Sequence, residues 1–326
     1  MEFRTVVNTK GACGKLLMHN SRVMMLGSCF SDNMGQRLAK GLVNVMVNPF
    51  GTTYNPFSMT SCIRRLVEAK KVTVGELFMS NGLWHSFMFH SKFSGSDQQS
   101  TLDTMNASII AGHEHLSNCS HVFMTLGTAY TYSLVDDGMV VNNCHKLPAS
   151  TFLRRLRGVD EVRDALEDAV TALHEFNRDA AVVLTVSPIR HLADGLEMNQ
   201  LSKSTLLVAA HEVASRHADY CTYFPSYEIM MDDLRDYRFY APDMTHPSDV
   251  AVDYIWEKFK DAFFDNKERA KVEQCERFSR RLSHRVMSDN QEAAERFRRE
   301  TRNALEQLVG QYPYLVEMEL IKQILN

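Results

Sequence analysis

Residues 22–33 read R-V-M-M-L-G-S-C-F-S-D-N. The first five form a short apolar run without polar alternation, as a strand buried on both faces requires. Gly27 follows, then two small nucleophilic residues, Ser28 and Cys29, and a helix-compatible segment. A tight strand-to-helix turn there puts Ser28 and Cys29 at the carboxyl end of the strand, where open α/β sheets hold their sites. Four further runs of the same kind lie at 43–47 (VNVMV), 121–126 (HVFMTL), 182–187 (VVLTVS) and 221–224 (CTYF). Helical patterns fall between several of them. After Asp160, which is placed to cap a helix, Val162, Ala165, Leu166, Ala169, Val170, Leu173 and Phe176 recur at i, i+3, i+4 and i+7 spacing. Residues 201–216 and 248–263 are similarly amphipathic. Strands alternating with helices predict a five-stranded parallel sheet covered on both faces, a three-layer α/β sandwich. The stretch 48–120, rich in Asn, Gly, Ser, Phe and His, reads as an irregular insertion that builds a binding surface or lid.

Composition narrows the function classes. With 326 residues, 44% hydrophobic and 23% charged, the chain is folded rather than disordered. No apolar stretch approaches the length of a membrane span, and the opening residues lack the pattern of a secretory signal. A net charge of −4 excludes bulk nucleic-acid binding. The seven cysteines are scattered without a CxxC pair, so neither a zinc ribbon nor a disulfide framework is expected. Reduced thiols imply a cytoplasmic protein. The segment 267–302 differs in character, with eleven Lys or Arg against seven Asp or Glu. It reads as one or two charged helices with a thin apolar stripe (Val272, Phe278, Leu282, Val286), packed on the body or on a second copy. Tyr312-Pro313-Tyr314 ends it before a last helical stretch at 315–325. The expected organisation is a body, 1–266, and a helical extension, 267–326.

Four constellations could carry chemistry. Cys29 at a helix N-terminus is placed to have its thiolate favoured and its pKa lowered; an inert cysteine in a tight turn is the alternative. In Tyr240-Ala241-Pro242-Asp243-Met244-Thr245-His246-Pro247, Asp243 can orient one imidazole nitrogen of His246 while the other faces a nucleophile. Alternatively, Asp243 or Thr245 caps the next helix. In Asn48-Pro49-Phe50-Gly51-Thr52-Thr53-Tyr54-Asn55-Pro56, Gly51 can present a bare backbone N–H to an oxyanion, unless the segment is an ordinary loop. Thr125-Leu126-Gly127-Thr128-Ala129-Tyr130 ends the third strand at the same edge.

Other residues are weighed beside these. His85 and His90 lie in the insertion, and His90 is a candidate for a pocket wall. Arg190, Asn199 and Lys203 follow the fourth strand and either bind an anionic substrate group or fix loops. Cys144-His145 and Arg190-His191 raise a metal reading with Cys29 and His246, but paired ligand spacing is absent, so neither metal nor organic cofactor is expected. Gly112-His113-Glu114-His115 reads as a helix end on the surface, and Tyr237, Phe239 and Tyr240 as packing beneath the Asp243/His246 loop.

These pieces in this order resemble a family. The GSCF box, the NPFGTTYNP loop, NNCHKLP (142–148), SPIRH with NQLSKS (187–204) and YFPSYEI…DMTHP are similar to the GSCFA-domain proteins over roughly residues 20–265. Those are bacterial proteins related to the SGNH (GDSL-like) hydrolases, whose flavodoxin-like fold the resemblance implies. Registered on Gly27, the nucleophile position falls on Cys29, with Ser28 as the alternative. The terminal DxxH implies His246 as base and Asp243 as its orienter. Gly51 matches the oxyanion-hole glycine; beside what the resemblance implies, Thr128, Asn55, His90 and Arg190 are further candidates for oxyanion or substrate binding. The third block departs from the pattern, because Gly127-Thr128-Ala129 lacks the G-x-N asparagine. The resemblance implies acyl-ester hydrolysis or acyl transfer, with an O-acylated saccharide as the substrate by analogy. The competing expectations are a weakly active or inactive module that binds a small polar ligand or saccharide, and a protein that associates through 267–302, with homo-oligomers formed there.

Overall fold

The computed structural model describes residues 5–9, 14–283, 291–318, 321, 322 and 324. Five parallel strands form the central sheet: β1 (Arg22–Gly27), β2 (Asn44–Val47), β5 (His121–Leu126), β9 (Ala181–Val186) and β10 (Cys221–Tyr223), in the order β10-β9-β5-β1-β2. Each of the five apolar runs forms one of these strands, with ends within one residue of the expectation. Side chains alternate across the sheet. Met24 and Leu26 face one core with Val122, Met124 and Leu126, whereas Val23, Met25 and Phe123 face the other. Helices α2 (Pro56–Val67), α3 (Gln98–Ser117), α4 (Val159–Phe176) and α5 (Gly195–Arg216) cover the first face. Helices α1 (Cys29–Lys40) and α7 (Asp249–Phe263) cover the second. The result is a three-layer α/β sandwich.

Chain order reverses between β1 and β5, because β1 pairs with β2 on one side and β5 on the other. Such a switch point opens a crevice at the carboxyl ends of the strands. Cys29 stands at its lip as the first residue of α1.

Three expectations are corrected. The stretch 48–120 is not mainly irregular, since α2 and α3 lie within it, with the small hairpin β3 (Phe78–Ser80) and β4 (Leu83–His85) and two 3-10 turns between them. Their buried faces include Ser58, Thr60, Cys62, Thr101 and Gly112, so polar and small residues conceal the helical period. The end of α3 is also pinned to the body: His113 Nδ1 donates to Leu66 O at 2.7 Å and His115 Nε2 to Val23 O at 2.9 Å. Helix α4 is capped at Gly158, not Asp160, because Glu161 reaches back to the Gly158 N–H at 3.1 Å.

An antiparallel sheet absent from the sequence reading stands over the crevice: β6 (Tyr130–Leu134), β7 (Val140–Val141) and β8 (Phe152–Leu156), in the order β7-β6-β8. A short helix α6 (Ser226–Glu228) runs directly into a π-helical turn, Ile229–Asp233.

The charged tail forms α8 (Asn266–Ser283) and α9 (Gln291–Gln311), and Val286 lies outside the described residues. Tyr312-Pro313 ends α9, and a 3-10 turn (Pro313–Glu317) occupies the start of the expected last helix. Cys275, Phe278, Leu305, Leu308 and Leu315 bury Leu42, just past the end of α1. Buried His19 ties the join, its backbone N–H donating to Glu268 at 2.6 Å and its Nε2 to Gly41 O at 2.7 Å. Among the described residues no helix is long and apolar enough to cross a membrane.

Candidate active site

Gly27 makes the turn from β1 into α1 possible. Its φ of 141° lies where side chains are strained, and a Cβ there would meet Thr125 O at 2.3 Å. Its N–H donates to Asn48 Oδ1 at 2.8 Å, and Asn48 Nδ2 donates to Asp32 at 2.8 Å, so the second strand's loop buttresses the turn.

The turn gives the two adjacent nucleophile candidates different environments. Ser28 caps α1, is buried, accepts from Phe30 N–H and donates to Ser187 Oγ at 3.2 Å. Cys29 is half-buried, and its Sγ lies 3.8 Å from His246 Nε2. His246 Nδ1 in turn meets Asp243 Oδ2 at 2.6 Å. That contact fixes the tautomer: Nδ1 carries the proton donated to the carboxylate, and the Nε2 lone pair faces the thiol.

The loop that bears this pair is closed on itself. Ala241 N–H donates to His246 O at 2.7 Å, Tyr240 bridges Pro247, and Arg190 N–H donates to Thr245 O at 3.0 Å. Asp243 does not cap the following helix. Ser248 does, accepting from Ala251 N–H, while Asp243 Oδ1 accepts from the backbone N–H groups of Thr245 and His246. Those two N–H groups and the imidazole hold the Asp243 carboxyl far below the usual carboxylate range, so it stays ionised. Both Asp243 and His246 are about half exposed, at an open rim.

The thiol itself behaves differently from expectation. Burial pushes the Cys29 pKa up, and the Asp32 carboxylate adds to the rise. The N–H groups of Cys29 and Phe30 and the Lys203 ammonium act in the opposite direction without reversing it. Desolvation of the thiolate therefore outweighs the helix terminus, and the thiol needs a base to lose its proton.

The remaining candidates divide into three groups. Asn55, Thr128 and Arg190 line a cavity of about 510 Å³ together with Ser28, Cys29 and His246. Asn55 also caps α2 through Ser58 N–H, and Thr128 Oγ1 pairs with Ser202 at 3.1 Å. Arg190 donates from Nε to Asn199 at 2.7 Å, so it fixes α5 against the His246 loop.

Gly51 and His90 are not in the cavity wall. The Gly51 N–H is spent on Asn48 O at 2.8 Å, which closes its turn, so it is not a free oxyanion donor. Its φ of 83° and the His90 side chain packed on it account for a glycine there. His90 instead caps a 3-10 turn through Lys92 N–H. The N–H groups of Gly127 and Thr128 are likewise committed, both to Tyr54 O. Among the described residues no three His, Cys, Asp or Glu side chains converge as a metal site.

The sequence reading missed most of the cavity's far wall. Tyr130 and Tyr132 of β6 face it, with the Arg154 guanidinium 3.9 Å from the Tyr130 ring centre and ion-paired to Asp194. Alternation of Tyr130 and Tyr132 with Thr131, which is buried, was the available signal. Lys203 does not reach the cavity as an anion binder. It is fully buried beneath the site, where Nζ donates to Gly127 O at 2.6 Å and Ser187 O at 2.8 Å, and burial lowers its pKa to about 7.

A search of curated proteins finds no match to this chain. The GSCFA family model matches residues 22–259, from the first strand into the helix that follows His246, and the chain belongs to the GSCFA family.

Proposed function

We propose that this protein is an acyl-ester hydrolase or acyltransferase of SGNH type, with Cys29 as nucleophile. The observation that carries this reading is the chain of contacts from Cys29 Sγ through His246 to Asp243, at 3.8 Å and 2.6 Å on the two imidazole nitrogens. In the proposed cycle the Cys29 proton passes to His246 Nε2, and the thiolate attacks the ester carbonyl carbon. The tetrahedral intermediate collapses as the C–O bond breaks, and His246 returns the proton to the leaving alcohol. A thioester remains on Cys29. Water or an acceptor alcohol, deprotonated by His246, then attacks the thioester carbonyl; the C–S bond breaks, the acid or new ester leaves, and His246 returns the proton to the Cys29 thiolate. Asp243 keeps the imidazole oriented and stabilises its charged form. The N–H of Cys29 itself, at the first position of α1, is the donor this reading assigns to the developing oxyanion, since the Phe30 and Ser31 N–H groups bond to Ser28. An O-acylated saccharide is the substrate suggested by superfamily analogy.

A second reading is a weakly active or inactive module that binds a small polar ligand or saccharide. It is favoured by the commitment of the Gly51, Gly127 and Thr128 N–H groups to acceptors within the chain. Loss of one oxyanion donor costs on the order of 10²–10³ in rate.

Alkylation by iodoacetamide across a pH series, followed by peptide mass spectrometry, together with turnover of p-nitrophenyl acetate, separates the two readings. We expect Cys29→Ala to abolish turnover and His246→Ala to slow both turnover and labelling of Cys29. Ser28→Ala should retain turnover and lose about 1 kcal/mol of stability with its cap. Full turnover in Cys29→Ala would refute the thiol nucleophile.

A further inference from the structure

Beside the polar cavity lies a second, apolar groove of about 410 Å³. Leu192, Leu196, Met231, Met244 and Tyr237 supply its apolar surface over the buried Met230 and Leu234, and the charged Arg235 and Asp236 also line it. Several of these side chains are left in water: Leu192 is 49% exposed, Leu196 55% and Met244 51%. Single exposed apolar residues are ordinary, but a contiguous set lining a concave surface marks a binding groove.

Two features join this groove to the site. Arg190 forms part of the wall of both cavities, held by Asn199 on one side and Met231 Sδ at 3.3 Å on the other. Met244 sits between Asp243 and Thr245 in the loop that presents His246, so the groove begins where the base stands.

The backbone is irregular on both sides of the groove. Met244 has a φ of 57°, an uncommon conformation for a residue with a side chain, and it holds an apolar side chain toward solvent. Met230 and Met231 belong to the π-helical turn, a distortion frequent at functional sites. Two unbranched methionine side chains, Met231 and Met244, make a surface that adapts to a flexible apolar ligand.

We propose that this groove seats the acyl chain of the substrate, so that the ester is a fatty acyl ester whose alcohol portion occupies the polar cavity. This inference rests on the acyl-transfer reading for its orientation, with the ester carbonyl at Cys29. The alkyl chain runs past Met244 and Arg190 onto Leu192 and Leu196.

The test compares p-nitrophenyl octanoate with p-nitrophenyl acetate on the full chain. It adds calorimetric binding of decanoate to Cys29→Ala, which reads the groove without turnover. We expect kcat/KM for octanoate to exceed that for acetate by at least about tenfold. Leu196→Asp, or Leu192→Asp as a second variant, should cut that ratio to about threefold or less and weaken decanoate binding at least about tenfold. Leu153→Asp, equally exposed but on β8, should change neither.

Acetate turned over as well as octanoate, or a ratio unmoved by Leu196→Asp, would overturn the groove and leave the acyl chemistry standing. No ester turned over, with decanoate still bound and displaced by Leu196→Asp, would overturn the acyl chemistry and support the groove. Decanoate failing to bind, or Leu196→Asp altering only the oligomeric state, would refute the acyl-chain assignment.

Discussion

The Cys29 thiol lies between opposing influences. Burial and the Asp32 carboxylate hold its proton on, while the amides of α1 and the Lys203 ammonium favour losing it. Among the described residues the Lys203 ammonium donates to the carbonyls of Gly127 and Ser187, at the ends of β5 and β9, and to no carboxylate. Burial, with a smaller contribution from Arg190, lowers its pKa to about 7, so its charge is itself conditional near neutrality. Replacing Lys203 by Met removes that charge while keeping the length of the side chain. We expect the labelling rate of Cys29 at about pH 6–7, where Lys203 is charged, to fall roughly three- to tenfold, and the difference to fade above about pH 8, where Lys203 is already neutral. A purely structural Lys203 would lower the melting temperature and leave the labelling rate at about pH 6–7 in place. Unchanged alkylation in a folded Lys203→Met protein would therefore remove Lys203 from the electrostatics of the site.

At the scale of elements, the β1–α1 turn is the part on which the site depends most. Gly27→Ala places a Cβ against Thr125 O and strains a φ of 141°, and the turn cannot relax without moving Ser28 and Cys29. We expect a loss of about 1–3 kcal/mol in urea unfolding and a loss of Cys29 reactivity in the fraction that folds. An unaffected denaturation midpoint would show that the turn tolerates a side chain.

The same turn explains what was legible in the sequence. Both-face burial leaves uninterrupted apolar runs, so the five strands and their parallel arrangement were readable. The proximity of Cys29 to His246 was anticipated through the resemblance, because each sits next to a marked boundary, glycine on one side and Pro247-Ser248 on the other. Helices α2 and α3 were hidden because Ser58, Thr60, Thr101 and Gly112 fill buried positions. Their start was still marked, as Asn55 caps α2 and Pro56 occupies its first position. The β6–β8 sheet was hidden for another reason. Its strands are short, and β8 is exposed at Leu153, Arg154 and Arg155, so little hydrophobic alternation survives there. The committed N–H of Gly51 could not be inferred from composition, since any Asn-Pro-x-Gly segment offers the same donor until its turn is known.

At the scale of the whole molecule, buried titratable groups determine how stability varies with pH. Burial lowers the pKa values of His121, His145 and His191 to about 4. In the unfolded chain they titrate near the ordinary value of 6.5. Between about pH 6.5 and 4 the unfolded chain thus binds more protons than the native state, and stability falls as pH falls through that window. Lys203 has the same sign at higher pH: between about 7 and 10.5 the unfolded chain binds the extra proton, so this group favours folding as pH rises. The buried thiols of Cys62, Cys119, Cys221 and Cys275 oppose it. Each is pushed up to about 12, so above about pH 9 the native state keeps protons that the unfolded chain loses. Their contribution is complete below that pH and is lost as pH rises toward 12. Four thiols outweigh one amine, which places maximal stability between about pH 7 and 9. Urea denaturation across a pH series should show a declining midpoint on both sides of that range. His121→Gln should flatten the acid limb, because His121 is buried with Nε2 on Lys15 O at 2.7 Å and, among the described residues, hydrogen-bonds to no carboxylate that would offset its protonation. An acid limb of undiminished slope in that variant would shift the acid sensitivity to other groups, with His145 and His191 the next to substitute.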